Sequence, residues 1–379
     1  MNERVAFRDL SLLVVLAVVV GFFGVLSPQY LSARNLSMLS IEFAITSVLS
    51  LGMLLVILPG HIDLSAGSGV GLIGGIAAVL VMRSGLSAVL AMLVALFVAL
   101  TLWRLQGYLI HSQGIPAFII TLGGLLTCKG LFWLCIRNQT VPVSPGGQAN
   151  LLSVLTTWYL PSPWSYVLLG VVVLVLAVLA WFGHQTDCRE APISDEPRPD
   201  PERRFLRWFL AAQALTLLTA LCSAYRGLPL PLLILGVVAA CVHVLTQHTR
   251  LGRALYAIGG NEEAALLSGI PVGAVVVTAY TLMGGLVALT GFLQTAYAGA
   301  STTTVGELME LDAVAACVIG GASLRGGRGT VVGVLLGSLV MACLLSGMSL
   351  MAVPPEARLI ARGLTLGLAA WLDVRLQGK

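Results

Sequence analysis

Two acidic residues stand at the start of apolar runs, and few other side chains in this sequence could do chemistry. Asp63 lies in PGHIDLSAGSG, which begins at Pro59, and Asp312 closes ELMELD, which begins at Glu307. An ionisable side chain beside a membrane-type segment is a functional candidate by default, because burying it is costly. The plainer reading is structural. Asp63 or Ser65 would cap the helix that follows, and Gly67, Gly71 and Gly75 would form a stripe of small residues for close helix packing. The sharper reading places them on a turn that lines a solute path, with His61 and Asp63 as a proton relay.

No reaction set accompanies them. The sequence has no HExxH, no GxSxG and no His/Cys/carboxylate cluster within its apolar runs. Gly326, Gly327 and Gly329 lack the spacing and the lysine of a phosphate-binding loop, so they read as a tight turn. Seven cysteines without a CxxC pair read as packing residues, with no metal site and no disulfide framework. The expectation is a protein with no catalytic residues and no cofactor of its own.

One polar stretch interrupts the hydrocarbon. LGRALYAIGGNEEAALLSGIPV covers residues 251–272, between apolar runs that end near Leu245 and resume at Val272. Asn261 is a natural N-cap, Glu262 and Glu263 favour the positive end of a helix dipole, and Gly269-Ile270-Pro271 stops the helix. The spacing predicts a short exposed helix of roughly two turns between two spans. A capped helix held there implies something that grips it.

The elements around these stretches are apolar helices. The chain has 379 residues, 58% of them hydrophobic and only 10% charged, against about 25% charged in soluble domains. Runs of about 20 apolar residues recur, the length that crosses a bilayer core. The fold class is all-α, a polytopic membrane protein forming a single transmembrane domain over residues 1–379. Candidate spans cover residues 10–26, 41–58, 66–82, 87–110, 117–136, 165–182, 205–224, 230–245, 272–293, 313–322, 331–350 and 358–372, about twelve crossings. The runs at 66–82 and 313–322 are short or broken by glycine, as spans that line cavities tend to be. Their sequences, IDLSAGSGVGLIGG and LDAVAACVIGGASL, are loosely alike, as an internal duplication would make them.

Arginine and lysine then orient the chain. With the N-terminus inside, Arg250, Arg253, Arg325, Arg328, Arg375 and Lys379 all fall on the cytoplasmic side, as does the arginine-rich segment after residue 185. Residues 138–163 and 297–310 fall outside, and both termini are cytoplasmic. The hydrophilic stretch 185–204, with four prolines and charges of both signs, reads as a solvated cytoplasmic linker.

Several motifs, in order, resemble the permease subunits of bacterial ABC sugar importers of the ribose, galactose, arabinose and xylose group. They are YLSARNLSML, GHIDLSAGS, IPAFIITLGG, GRALYAIGGNEEAALLSGI, ELDAVAACVIGGASLRGGRG and the final WLD, covering the chain from about Leu31 onward. The extra spans at 165–182 and 205–224 bring it nearest to the xylose-transporting members. The resemblance implies a fold like that of the vitamin B12-type importers, with two helices added, in an inner-membrane homodimer around a central path. It implies a periplasmic sugar-binding protein and a cytoplasmic ATPase with tandem nucleotide-binding domains, which binds the ATP and magnesium. The bilayer is the remaining partner, and no nucleic acid is expected.

The resemblance also assigns roles. Residues 250–271 become the ATPase-coupling loop, carried by Arg253, Gly259, Gly260, Asn261, Glu262, Glu263, Ser268 and Gly269. Asp63, Ser65, Gly67, Gln106, Asp312, Gly320 and Gly321 become candidates for the translocation path or gate. Four positions depart from the family pattern. Trp103-Arg104-Leu105-Gln106-Gly107 replaces Gly-x-x-Asn-Gly, Lys129 replaces arginine, Leu266 replaces a basic residue, and His61 replaces glycine or glutamate. Trp103 adds bulk in a helix seam, which bears on pore width and hence on the sugar. The rival class is an ion-coupled carrier of a small polar solute. Membrane-depth charges are few (Glu42, Arg104, Lys129, Arg362), and such carriers usually need buried carboxylates.

Overall fold

A computed structural model describes residues 2–190 and 201–377. Its helices are α1 (Asn2–Leu26), α2 (Ala33–Ile57), α3 (Ala66–Met82), α4 (Ala88–Ser112), α5 (Ala117–Ile136), α6 (Leu151–Thr157), α7 (Ser162–Glu190) and α8 (Pro201–Ser223). They continue with α9 (Leu230–His248), α10 (Arg250–Gly260), α11 (Glu262–Leu267), α12 (Val272–Ala298), α13 (Met309–Ile319), α14 (Val331–Leu350) and α15 (Pro355–Gln377). The chain is all-α apart from two tiny antiparallel pairings. Among the described residues, six helices are long and apolar enough to cross a membrane: α2, α4, α5, α9, α12 and α14. Shorter apolar stretches lie in α1, α3, α7 and α8.

The centre of the molecule is α2. It is apolar on every side, the signature of a helix buried all round, and α12, α13, α14 and α9 pack about it. Ser37, Ser40, Ser47 and Ser50 are buried along it, small enough to let neighbours approach.

Each end of the bundle is tied by backbone contacts. At one end Val141–Pro142 pairs with Ala300–Ser301, and Tyr159–Leu160 pairs with Leu228–Pro229. Three of these four segments lie within residues 138–163 and 297–310, which arginine distribution assigned to the outer side. At the other end, turns after α2, α10 and α13 meet. The two sets do not mix, as alternating loops require.

Three predicted spans, 66–82, 117–136 and 331–350, have the bounds of α3, α5 and α14. The short α13 starts earlier than expected, at Met309. Helix α7 runs on to Glu190 and α8 begins at Pro201, so helix takes both ends of the expected linker. Residues 191–200 of that linker lie outside the described residues.

Candidate functional site

The predicted docking helix is present. Asn261 Oδ1 accepts a hydrogen bond from Ala264 N at 3.0 Å, which caps α11, and Gly269 ends it at φ +79°. Asn261, Glu262, Glu263, Ser268 and Gly269 are all exposed, and Leu267 is 91% exposed. A leucine so bare on a capped helix is an apolar contact without a partner in this chain.

A second helix precedes it. The sequence reading treats residues 250–260 as polar connector, but they form α10, with Thr249 Oγ1 accepting from Gly252 N at 3.1 Å. Leu255 and Ile258 are buried and Leu251 partly so. That spacing of four and then three is the helical signal which the arginines and glycines obscured. Arg253 and Gly260 point outward from α10.

Gly259 faces inward instead. A Cβ there would run into Leu58 O, Gly327 N and Gly326 C, whereas one on Gly260 would meet nothing. The carbonyl of Leu58 accepts a hydrogen bond from Gly327 N at 2.9 Å, and Tyr256 Oη donates to Gly329 O at 2.7 Å. Burial raises the Tyr256 phenol above its ordinary pKa, so it remains a donor. The turns after α2 and α13 and the last turns of α10 therefore touch one another.

From this junction residues 61–65 run back into the bundle and α3 begins. Asp63 is fully buried. Its Oδ2 accepts from Trp103 Nε1 at 2.6 Å, and its Oδ1 accepts from Ser65 N at 2.8 Å and Ser65 Oγ at 2.6 Å. The Gln106 amide oxygen lies 3.2 Å from that hydroxyl. Ser65 occupies the N-cap position of α3 without making a side-chain cap. Asp63 thus fixes the turn before the helix and makes no bond to His61. Trp103 is fully buried between Gly69 and Gly284, both too close to carry a Cβ. Its bulk fills a seam between α3 and α12, and its exposed area is nil, so it does not project into a path.

The second acidic mouth comes from the opposite end. After α12, residues 302–308 turn back into the bundle and α13 begins. Glu310 and Asp312 are buried, and Arg362 Nη2 of α15 lies 3.3 Å from Asp312 Oδ2. The two half-spans meet where a Cβ on Gly67 would strike Glu310 Oε2 and Gly306 O. The similar sequences at 62–75 and 311–324 therefore open α3, an unbroken helix, and the short α13, which enter the bundle from opposite ends as an inverted repeat would place them. Gly71 and Gly75 face Val305, Phe132 and Ile136, so the small-residue stripe is a packing seam. Gly320 packs against Gly333 of α14, and Gly321, at φ +80°, turns the chain out of α13.

Of the residues proposed for a path, Asp63, Ser65 and Gln106 form one hydrogen-bonded group, with Gly67 one turn on. Asp312 belongs to a separate group, and Gly320 and Gly321 sit beyond the far end of α13. Sequence reasoning did not find the partners: Trp103 for Asp63, Arg362 for Asp312, and Tyr297, whose Oη donates to Glu42 Oε1 at 3.0 Å.

Comparison with known proteins identifies the family. Residues 35–370 match the family described as branched-chain amino acid transport system / permease component. The chain is 37% identical to the xylose transport system permease protein XylH of Haemophilus influenzae over 364 residues, 96% of this chain and 95% of that one. It is 37% identical to XylH of Escherichia coli, over 95% of this chain and 89% of that one. It is 29% identical to the ribose import permease protein RbsC of Escherichia coli, over 96% and 93% of the two chains. No solved structure matches it. Apolar helices around a buried α2, two short spans and this extent of identity agree, and the chain belongs to this family of multi-pass membrane permease subunits.

Proposed function

We propose that the chain is the membrane-spanning subunit of an ATP-driven importer that passes a monosaccharide, a pentose such as D-xylose, from a periplasmic binding protein to the cytoplasm. The observation that carries this is the 37% identity to xylose permeases over nearly the whole of both chains. The subunit works as a homodimer of about twelve-crossing protomers, of the vitamin B12-importer type with two added helices, both termini in the cytoplasm. It does no chemistry; ATP and magnesium belong to a partner ATPase with tandem nucleotide-binding domains.

The coupling loop is the exposed α11 with Arg253 and Gly260 beside it, and its bare Leu267 supports docking on that ATPase. Gly259 carries the motion inward, since it touches the turns that lead into α3 and out of α13. ATP-driven closure would then tilt both half-spans at once and open the path past Asp63, Ser65, Gly67, Gln106, Asp312, Gly320 and Gly321.

Reconstitution tests this. In vesicles, D-xylose uptake should require ATP, the ATPase and the binding protein together; uptake by the chain alone along a proton gradient would overturn the reading. In the complete transporter, Glu263→Lys on the exposed α11 should leave the subunit folded and lower the sugar moved per ATP hydrolysed, whereas Gly259→Ala, whose methyl meets the backbone of Leu58, Gly326 and Gly327, should lower stability as well.

A further inference from the structure

Of the rare charges that interrupt the apolar runs, Glu42, Lys129 and Arg362 each have a partner within the chain. Tyr297 Oη donates to Glu42 Oε1 at 3.0 Å, Lys129 Nζ lies 3.7 Å from Glu307 Oε1, and Arg362 Nη2 lies 3.3 Å from Asp312 Oδ2. Arg104 of α4 is the exception. It is exposed, and it makes no hydrogen bond or ion pair with the described residues. A bare guanidinium on the outside of a span is costly unless an opposite charge meets it.

Depth and direction decide what meets it. The uncharged run from Ala88 to Trp103 covers about 24 Å at about 1.5 Å per residue, out of a hydrocarbon layer of roughly 30 Å. Arg104 therefore stands about one turn short of the far edge, a gap its long side chain can cross. Tyr108 and His111, about one and two turns on, share its face and are exposed too. Tyrosine belongs at such an interface, and the ring of His111 rests where a Cβ on Gly273 of α12 would strike it. Toward the other end the same face is bare hydrocarbon, with Leu90, Leu93 and Phe97 exposed. A water-filled path would need polar groups along its whole length. This face of α4 therefore lies against lipid tails, and Arg104 meets the group that ends them. That group is a phosphate, which a guanidinium grips through two parallel hydrogen bonds.

We infer that Arg104, Tyr108 and His111 form a binding site for the headgroup phosphate of an anionic phospholipid in the inner leaflet. The guanidinium, the phenol O–H and an imidazole N–H supply the donors, and an acyl chain runs along Leu93 and Phe97. A zwitterionic headgroup brings its own cation to compete with Arg104, so a net negative lipid is preferred. The site bears on the back of the helix whose buried face carries Trp103 and Gln106, the partners of Asp63 and Ser65. The inference rests on the proposed orientation, which puts the C-terminal end of α4 in the cytoplasm.

The test uses the full-length permease in micelles holding equal amounts of phosphatidylglycerol and phosphatidylcholine, with retained lipid read by native mass spectrometry. Phosphatidylglycerol adducts should dominate on the native protein. Arg104→Gln should lower their ratio to phosphatidylcholine about fivefold, the weight of one basic residue at a membrane surface, at an unchanged unfolding midpoint. Arg104→Lys keeps the charge and should keep most of the preference. Tyr108→Phe should lower the ratio roughly two- to threefold, and it reports on the site even where Arg104→Gln fails to fold. Equal retention of the two lipids by the native protein, or a ratio unchanged in the folded variants, overturns the site. Displacement of the lipid by excess inorganic phosphate overturns the lipid as occupant, and adducts on the monomer but none on the dimer would give the face to a second copy. Orientation is measured separately. Gln113→Cys should react with a membrane-impermeant maleimide, above the background of the native cysteines, only in inside-out vesicles. Reaction in right-side-out vesicles overturns the orientation and the leaflet with it, whereas a lost lipid preference with cytoplasmic labelling sinks the site alone.

Discussion

Asp63 and Asp312 hold equivalent places in the two half-spans, yet their surroundings differ in kind. Asp63 is fully buried, and three hydrogen bonds from Trp103 and Ser65 engage both of its oxygens. Asp312 is half-satisfied: one oxygen meets Arg362, and the other is buried without a hydrogen-bond partner. One copy of the repeat has used its carboxylate to fix a turn; the other has kept part of it free. Buried polar groups in folded proteins are nearly always paired, so the turn at Asp312 is the less settled of the two. A motif shared by two repeats need not do the same work in both.

The largest effect should come from Asp63→Ala. It strands the indole N–H of Trp103 and the backbone N–H of Ser65 in the interior, at about 1–3 kcal/mol for each. A fall in the thermal unfolding midpoint in detergent, much larger than for any change at Asp312, is expected. Equal sensitivity of the two sites would break the comparison. Trp103→Phe comes next. It keeps the aromatic bulk between Gly69 and Gly284 and removes one donor to a carboxylate, for about 1.5–3 kcal/mol. If the ring mattered only as filler, that variant would unfold with the native midpoint.

Gly67→Ala sharpens the comparison differently, because Gly67 is where the half-spans touch. The added methyl would press on Glu310 and on the Gly306 carbonyl. Overpacking of this kind costs about 1–3 kcal/mol. Its functional signature should exceed its effect on stability, since it pushes apart the two elements that must move together. Unchanged uptake per ATP in a folded Gly67→Ala transporter would show that this contact is incidental.

The sequence made the apolar spans legible because their ends coincide with abrupt changes of residue type. Helix α5 lies between its caps Pro116 and Arg137 and α14 between Thr330 and Met351, so hydropathy alone marks them. The cap at Asn261 was legible for the same reason: capping is a local event. Helix α10 was hidden because Arg250, Arg253 and a closing glycine pair look like loop, while its stabilising face, Leu255 and Ile258, gains meaning only from what covers it. Trp103 was legible as bulk in a helix seam, but not which seam, because the glycines that accommodate it, Gly69 and Gly284, lie on other helices. The pairing of Asp312 with Arg362, fifty residues on, left no trace beyond two rare charges in apolar surroundings.

The smallest effect on stability is expected at Asp312 itself. Asparagine has nearly the same shape, keeps an oxygen within reach of Arg362, and faces a guanidinium whose side chain is 25% exposed. Water can therefore screen part of what the lost charge leaves on Arg362, although Asp312 itself is buried. Asp312→Asn should unfold within a few degrees of the native protein, since about 1 kcal/mol shifts the midpoint of a domain this large by roughly 2–4 °C or less. A collapse as deep as that of Asp63→Ala would mean that Asp312 is as structural as its counterpart, and the asymmetry between the two half-spans would be lost.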